Sequence, residues 1–196
     1  MKNKPTVHVF AGANGSGKST ISKLILNTLH CDYYNADDIK KTSGFTDLEA
    51  AQHAEMLRNK ALDEGKDFAF ETVLSTDRNL KLLQKAKEKG YFVRVTYIIT
   101  ETPEINKLRV KQRVLKGGHD VPVGKIVSRY YKMLDLIADV VEVSDICNIY
   151  DNSDVPIRIF KKHKDMYYYR DTEYWTREKI SRITGQSSLE YKDFIN

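Results

Sequence analysis

Two hydrophobic periods alternate along this chain. Short runs of β-branched and aromatic residues recur at Thr6 to Ala11 (TVHVFA), Cys31 to Asn35, Asp67 to Thr72, Phe92 to Ile99 and Asp145 to Asp151 (DICNIYD). Each has the length of a buried strand, and glycine or polar residues bound it. Between them the apolar positions take a helical spacing. Lys18 to Leu29 brings Ile21, Leu24, Ile25 and Leu29 to one side. Asp47 to Glu64, Asp77 to Lys89, Pro103 to about Leu115 and about Lys125 to Val141 follow the same rule, with Gly65 and Gly90 as stops. Strands separated by helices of this length predict right-handed βαβ crossovers, hence an α/β fold with a central parallel sheet flanked by helices. The alternation lapses after residue 155. Ile157 to Phe160 and Met166 to Tyr169 predict a hairpin, and Trp175 to Ile183 a closing helix. The expected organisation is a core over 1–155 and a small hairpin-helix appendage over 156–196, packed on it.

The first strand runs into Gly12-Ala13-Asn14-Gly15-Ser16-Gly17-Lys18-Ser19-Thr20, which fits the P-loop pattern GxxxxGK[ST]. Glycines let such a loop curl until successive backbone N–H groups converge on phosphate oxygens, and the following helix adds its positive end. Lys18 is then placed to reach the β- and γ-phosphates, and the Ser19 hydroxyl to ligate Mg²⁺. The pattern lies between a predicted strand and a predicted helix, the context it requires. It predicts a nucleoside triphosphate site with Mg²⁺ beside it.

Carboxylates at the other strand ends face the same site, because ligands of parallel sheets bind beyond the carboxyl ends of the strands. Asp37, in Asn35-Ala36-Asp37-Asp38-Ile39, is a candidate for orienting an acceptor hydroxyl and taking its proton. One of Asp37 and Asp38 is expected to serve only as a helix cap. Glu71, with Thr72 beside it, is a candidate for substrate contact or water-mediated Mg²⁺ contact. A basic lid is predicted over about 109–130. Arg109 and Arg113 share one helical face, Gly117-Gly118 supplies a hinge, His119 follows, and Arg129 begins the return helix. Arginines there can neutralise charge on a transferring phosphoryl group.

Composition narrows the partners. With 196 residues, 41% hydrophobic and 30% charged, the chain has the make-up of a soluble globular domain. The net charge of +5 suits an anionic small molecule and is too weak to argue for DNA. Two cysteines without metal-ligand spacing point to a reducing cytoplasm, and no run approaches the ~20 apolar residues of a membrane span. Tyr167-Tyr168-Tyr169 and Tyr174-Trp175 lie among basic residues, a pattern that can hold single-stranded nucleic acid. Period-2 alternation explains it as a packed hairpin, so nucleic acid is not the expected partner.

The AGANGSGKST loop, NADDI, the strand end Phe70-Glu71-Thr72, the RV…GGHDVP…RYY segment and the strand ending YDNS together resemble the zeta-toxin family of P-loop kinases, over roughly residues 6 to 153. The resemblance implies an ATP- and Mg²⁺-dependent kinase that phosphorylates the 3′-hydroxyl of the N-acetylglucosamine moiety of UDP-N-acetylglucosamine, and an antitoxin protein as partner. By motif position it implies that Lys18 and Ser19 serve the phosphates and Mg²⁺, Asp37 is the base, Glu71 binds substrate and Arg113 is the first lid arginine. The larger toxins carry a second arginine where this chain has His119-Asp120-Val121-Pro122, and Arg129 is the candidate to replace it. The residues leave open a kinase for a nucleoside or nucleic-acid end, and an ATP-responsive binding module.

Overall fold

The computed structural model describes residues 4–194. Its strands are β1 (Thr6–Ala11), β2 (Asp32–Tyr34), β3 (Phe68–Thr72), β4 (Phe92–Ile99), β5 (Ile146–Asp151), β6 (Ile157–His163), β7 (Met166–Tyr169) and β8 (Glu190–Tyr191). Its helices are α1 (Lys18–Leu26), α2 (Ala36–Ser43), α3 (Asp47–Glu64), α4 (Asp77–Glu88), α5 (Pro103–Leu115), α6 (Val123–Asp135), α7 (Ile137–Val143) and α8 (Arg177–Thr184). All eight strands form one sheet in the order β2-β3-β1-β4-β5-β6-β7-β8. The first five are mutually parallel, as the βαβ spacing requires. β6 and β7 turn back antiparallel, and β8 closes the edge parallel to β7.

Alternation along the strands sets the two faces. Val7, Val9 and Ala11 of β1 share a face with Phe68 and Phe70 of β3 and with Val93, Val95, Tyr97 and Ile99 of β4. They meet Leu62, Leu83, Met133, Ile137, Val140 and Ile180 of the helices in one core. On the other face α1 packs over β1 and β3, while Arg94 is exposed and Thr96 and Asn148 are half-buried.

Three elements differ from the sequence expectation. The helix expected over about 125–141 is two helices, broken at Leu136, whose N–H bonds to Met133 three residues back instead of continuing the α pattern. The break lets Tyr130 and Met133 of α6 and Ile137, Val140 and Val141 of α7 all reach the core. The NADDI segment opens a separate helix, α2, capped by the Asn35 side chain and stopped at Gly44 with φ 73°. The tail also adds β8. The tyrosines of β7 pack within the molecule: Tyr167 stacks on Phe160 with centroids 6.4 Å apart, and Tyr169 meets Tyr191 edge-on at 5.7 Å.

Candidate phosphoryl-transfer site

The loop from β1 to α1 is built on close approaches that only glycine permits. A Cβ at Gly15 (φ +83°) would lie 2.5 Å from the Asn106 carbonyl oxygen, and one at Gly12 would lie 2.1 Å from that of Ile98. Side chains from outside hold the loop. Asn106, fully buried on α5, donates its Nδ2 to the Asn14 carbonyl at 2.8 Å. Asn152, just past β5, donates to the Ser16 carbonyl at 2.7 Å. Arg129 donates to Asn14 Oδ1 at 3.1 Å. Ser16 Oγ is buried without a hydrogen-bond partner, and the start of α1 has no side-chain cap. An orphaned hydroxyl, open backbone N–H groups and a glycine-lined curl together fit the phosphates of ATP.

Lys18 is the electrostatic centre of the site. Desolvation lowers its pKa to about 8, the carboxylates of Glu71 and Asp37 raise it, and Arg113 and Arg129 lower it further. Asp37 and Glu71, from two strand ends, and two of the three arginines of the predicted lid therefore bear on one ammonium group. Glu71 is held firmly. Ser19 Oγ donates to its Oε2 at 2.9 Å, Ser22 Oγ donates to its Oε1, and the Tyr33 hydroxyl, which accepts from Asn35 Nδ2 at 2.9 Å, lies within reach of its charge. Burial and Glu71 keep the Tyr33 phenol far above its ordinary range, so it stays protonated. Asn35 caps α2 by accepting from the Asp37 N–H at 2.8 Å, and Asp38 pairs with Lys41 at 3.2 Å on the surface. Neither aspartate is the cap, contrary to expectation. Among the described residues no cluster of three or more metal-binding side chains occurs. Ser19 and Glu71 nevertheless present hard oxygen donors, the kind Mg²⁺ takes alongside phosphate oxygens and water.

The Zeta toxin family model matches residues 1–165. The chain belongs to the Zeta toxin family. An uncharacterized protein of Haemophilus influenzae is 30% identical over 134 residues, which cover 66% of this chain and 94% of that protein. Among solved structures, the PezAT chromosomal toxin–antitoxin system of Streptococcus pneumoniae aligns at TM-score 0.56 and 19% identity, covering 80% of this chain and 72% of the other. A chain of the AvrRxo1-ORF1:-ORF2 complex solved with ATP aligns at TM-score 0.71 and 16% identity, covering 93% of this chain. The present chain spans 64% of that longer one. The family match and these likenesses together show a zeta-toxin-like fold.

The remaining expected site residues fall into two groups in this Zeta toxin family member. Arg113 ends α5, where Gly117 turns the chain at φ +80° and the Gly118 N–H bonds back to the Arg113 carbonyl at 2.9 Å. It is exposed, and its charge, like that of Arg129, bears on Lys18. Arg109, expected to contact substrate, is engaged within the protein. Its guanidinium is taken up by the carbonyls of Asn152 at 2.7 Å and Ser153 at 2.9 Å, which fixes the segment that braces the loop. Thr72 is engaged in the same way: its Oγ1 accepts from Asn79 at 2.7 Å and from the Leu74 N–H at 3.0 Å, and its carbonyl accepts from Gly12. His119 sits exposed beyond the glycine pair, and its charge acts on Asp47 at the start of α3. The sequence reading missed Asn106, Asn152, Ser22 and Tyr33. Asn152 lies in the YDNS strand end that carried the resemblance, but an isolated asparagine on α5 gives no signal until the fold sets it against the loop.

Proposed function

We propose that this chain transfers the γ-phosphoryl group of ATP to a sugar-nucleotide hydroxyl, the 3′-hydroxyl of the N-acetylglucosamine of UDP-N-acetylglucosamine. The observation that supports this reading is the convergence of Asp37, Glu71, Arg113 and Arg129 on Lys18 beside a braced phosphate loop. In this assignment the loop N–H groups and Lys18 bind the β- and γ-phosphates. Ser19, with Glu71 behind it, holds Mg²⁺, which when bound screens phosphate charge. Asp37 orients the acceptor hydroxyl and takes its proton as the oxygen attacks phosphorus. Arg113 from the lid and Arg129 from α6 neutralise charge on the equatorial oxygens, so that Arg129 occupies the role of a second lid arginine. The S. pneumoniae neighbour comes from a toxin–antitoxin system, and on that ground we assign this chain an antitoxin polypeptide as partner.

The test is incubation with ATP, Mg²⁺ and UDP-N-acetylglucosamine, followed by mass spectrometry of the nucleotide sugar. A product heavier by one phosphate is expected. It should fall at least ~100-fold with Asp37→Ala, as loss of a general base predicts, while ATP affinity stays within a few fold. Bound ATP with unmodified UDP-N-acetylglucosamine would overturn the acceptor and leave the ATP site standing.

A further inference from the structure

Between α3 and α4 lies a cavity of about 400 Å³ lined by Glu55, Arg58, Asn59, Asp77, Arg78, Asn79, Lys81, Leu82 and Lys85. Four cationic side chains line it against two carboxylates. Three of the cations already have partners: Arg78 pairs with Glu55 at 3.3 Å, Lys81 with Asp77 at 2.6 Å and Lys85 with Asp63 at 3.4 Å. Arg58 is the exception. It is 8% exposed, and its Nε is buried with no hydrogen-bond partner. The guanidinium lies over the Phe70 ring, 4.8 Å from its centroid, which offers a π face and no counter-charge. Burial lowers its pKa, the Glu55 carboxylate raises it, and Arg78 lowers it again.

A buried cation with no ion pair of its own, whose nearest carboxylate Glu55 is already paired with Arg78, is costly, and a ligand anion can supply the missing charge. A guanidinium presents a planar fork of N–H donors suited to phosphate oxygens. The surroundings agree. Thr76 makes no capping hydrogen bond at the start of α4, so the positive end of that helix stands at the cavity residues Asp77 and Arg78. Asn79 lines the cavity and donates to Thr72, which adjoins Glu71 and accepts from Gly12 of the phosphate loop. The cavity thus borders the strand end that carries the phosphoryl-transfer site.

We propose that the α3–α4 cavity is a second anion site, separate from the phosphate loop, which binds a phosphate-class group through Arg58 with Arg78 at its rim. That group has two possible sources, the phosphates of the acceptor itself or a free phosphorylated effector. The binding claim is independent of the acceptor proposed above, and only the choice of source rests on it.

The test uses inorganic pyrophosphate as probe, titrated calorimetrically without Mg²⁺ into full-length Lys18→Ala, whose phosphate loop has lost its lysine. One saturable site is expected. Adding Arg58→Met, which keeps length and apolar contact with Phe70, should weaken it at least ~10-fold, and Arg58→Lys should restore part of the loss. Should Arg58→Met lower the thermal midpoint sharply, Arg78→Gln replaces it, with an expected loss of ~3-fold or more. Absence of saturable binding, or binding indifferent to both arginines, would overturn the proposal. In the wild type, turnover assays then assign the source. Pyrophosphate competitive with the acceptor, together with a raised acceptor KM in Arg58→Met, makes the group the acceptor's own. Pyrophosphate altering kcat without competing makes it an effector's. If UDP-N-acetylglucosamine is not phosphorylated at all, the calorimetric result is untouched and still decides the anion site.

Discussion

The phosphate loop and the lid are both glycine-containing segments that carry functional charge, yet they are held in opposite ways. The loop sits above the main core and is tied from outside by Asn106, Asn152 and Arg129. A Cβ at Gly12 or Gly15 would strike a backbone carbonyl. The lid rests on a small apolar cluster of its own, Val110, Val121 and Ile126, separate from the main core. Beside that cluster a groove of about 510 Å³ runs between α5 and α6, past the exposed side chains of Leu108, Leu115 and Val123. The difference fits the chemistry proposed for each. Phosphate recognition gains from dipoles fixed in advance, whereas a group that closes over the γ-phosphate has to open again for product to leave. Segments with few buried contacts supply such motion at low cost.

The largest expected effect comes from breaking the fixed side. Gly15→Ala places a methyl 2.5 Å from the Asn106 carbonyl at a backbone φ of +83°. The strained φ alone costs about 1–3 kcal/mol, and displacement of a catalytic loop by ~1 Å is worth ~100-fold in rate. Turnover should fall by that order with ATP affinity falling alongside, and unaltered kinetics would show that the loop tolerates displacement.

A smaller effect is expected in the lid. Gly118→Ala sets a methyl 2.5 Å from Arg113 Cγ, the middle of a flexible side chain. The arginine is displaced while the core is untouched. Loss of part of one charge contact to the transition state should lower kcat about tenfold, with ATP affinity and thermal midpoint unchanged. A parallel drop in thermal midpoint would mean that the lid is no more independent than the loop.

The smallest effect sharpens the comparison by titrating its centre. Lys18 has a pKa of about 8 in the free protein. Phosphate oxygens favour the ammonium form, so nucleotide raises that pKa and binding takes up protons around pH 8. Uptake should approach about half a proton there and vanish near about pH 6.5, where Lys18 is already charged. Affinity should weaken as pH rises through 8. Calorimetry in two buffers of different ionisation enthalpy reads the uptake, and a pH-independent zero would remove Lys18 from the phosphate contact.

Most of the strands and the loop itself were legible in the sequence because their causes are local. TVHVFA followed by GANGSGKS specifies a buried strand and a phosphate curl in consecutive residues, and Thr46 with Glu49 and Gly65 brackets α3 with both ends of a helix signal. The lid arginines were legible as candidates and not as individuals. Arg109 and Arg113 stand one helical turn apart with the same chemistry, yet only the position of β5 decides that Arg109 faces the carbonyls of Asn152 and Ser153. Arg58 was passed over entirely, because an arginine in the middle of a polar helix looks solvated until the packing of α3 and α4 buries it over Phe70.

The sequence by itself determined the five parallel strands and most of the helices between them, the phosphate loop, the acids after β2 and β3, and the family. All of these rest on periodicity, glycine geometry and spacing along the chain, which neighbours in sequence carry. Only the tertiary structure decided which charges meet. The charges of Asp37, Glu71, Arg113 and Arg129 acting on Lys18, the bracing by Asn106 and Asn152, and the burial of Arg58 over Phe70 join residues from different crossovers. Electrostatic energy depends on separation through space and on burial, and neither quantity is defined until the sheet has formed and the helices have packed.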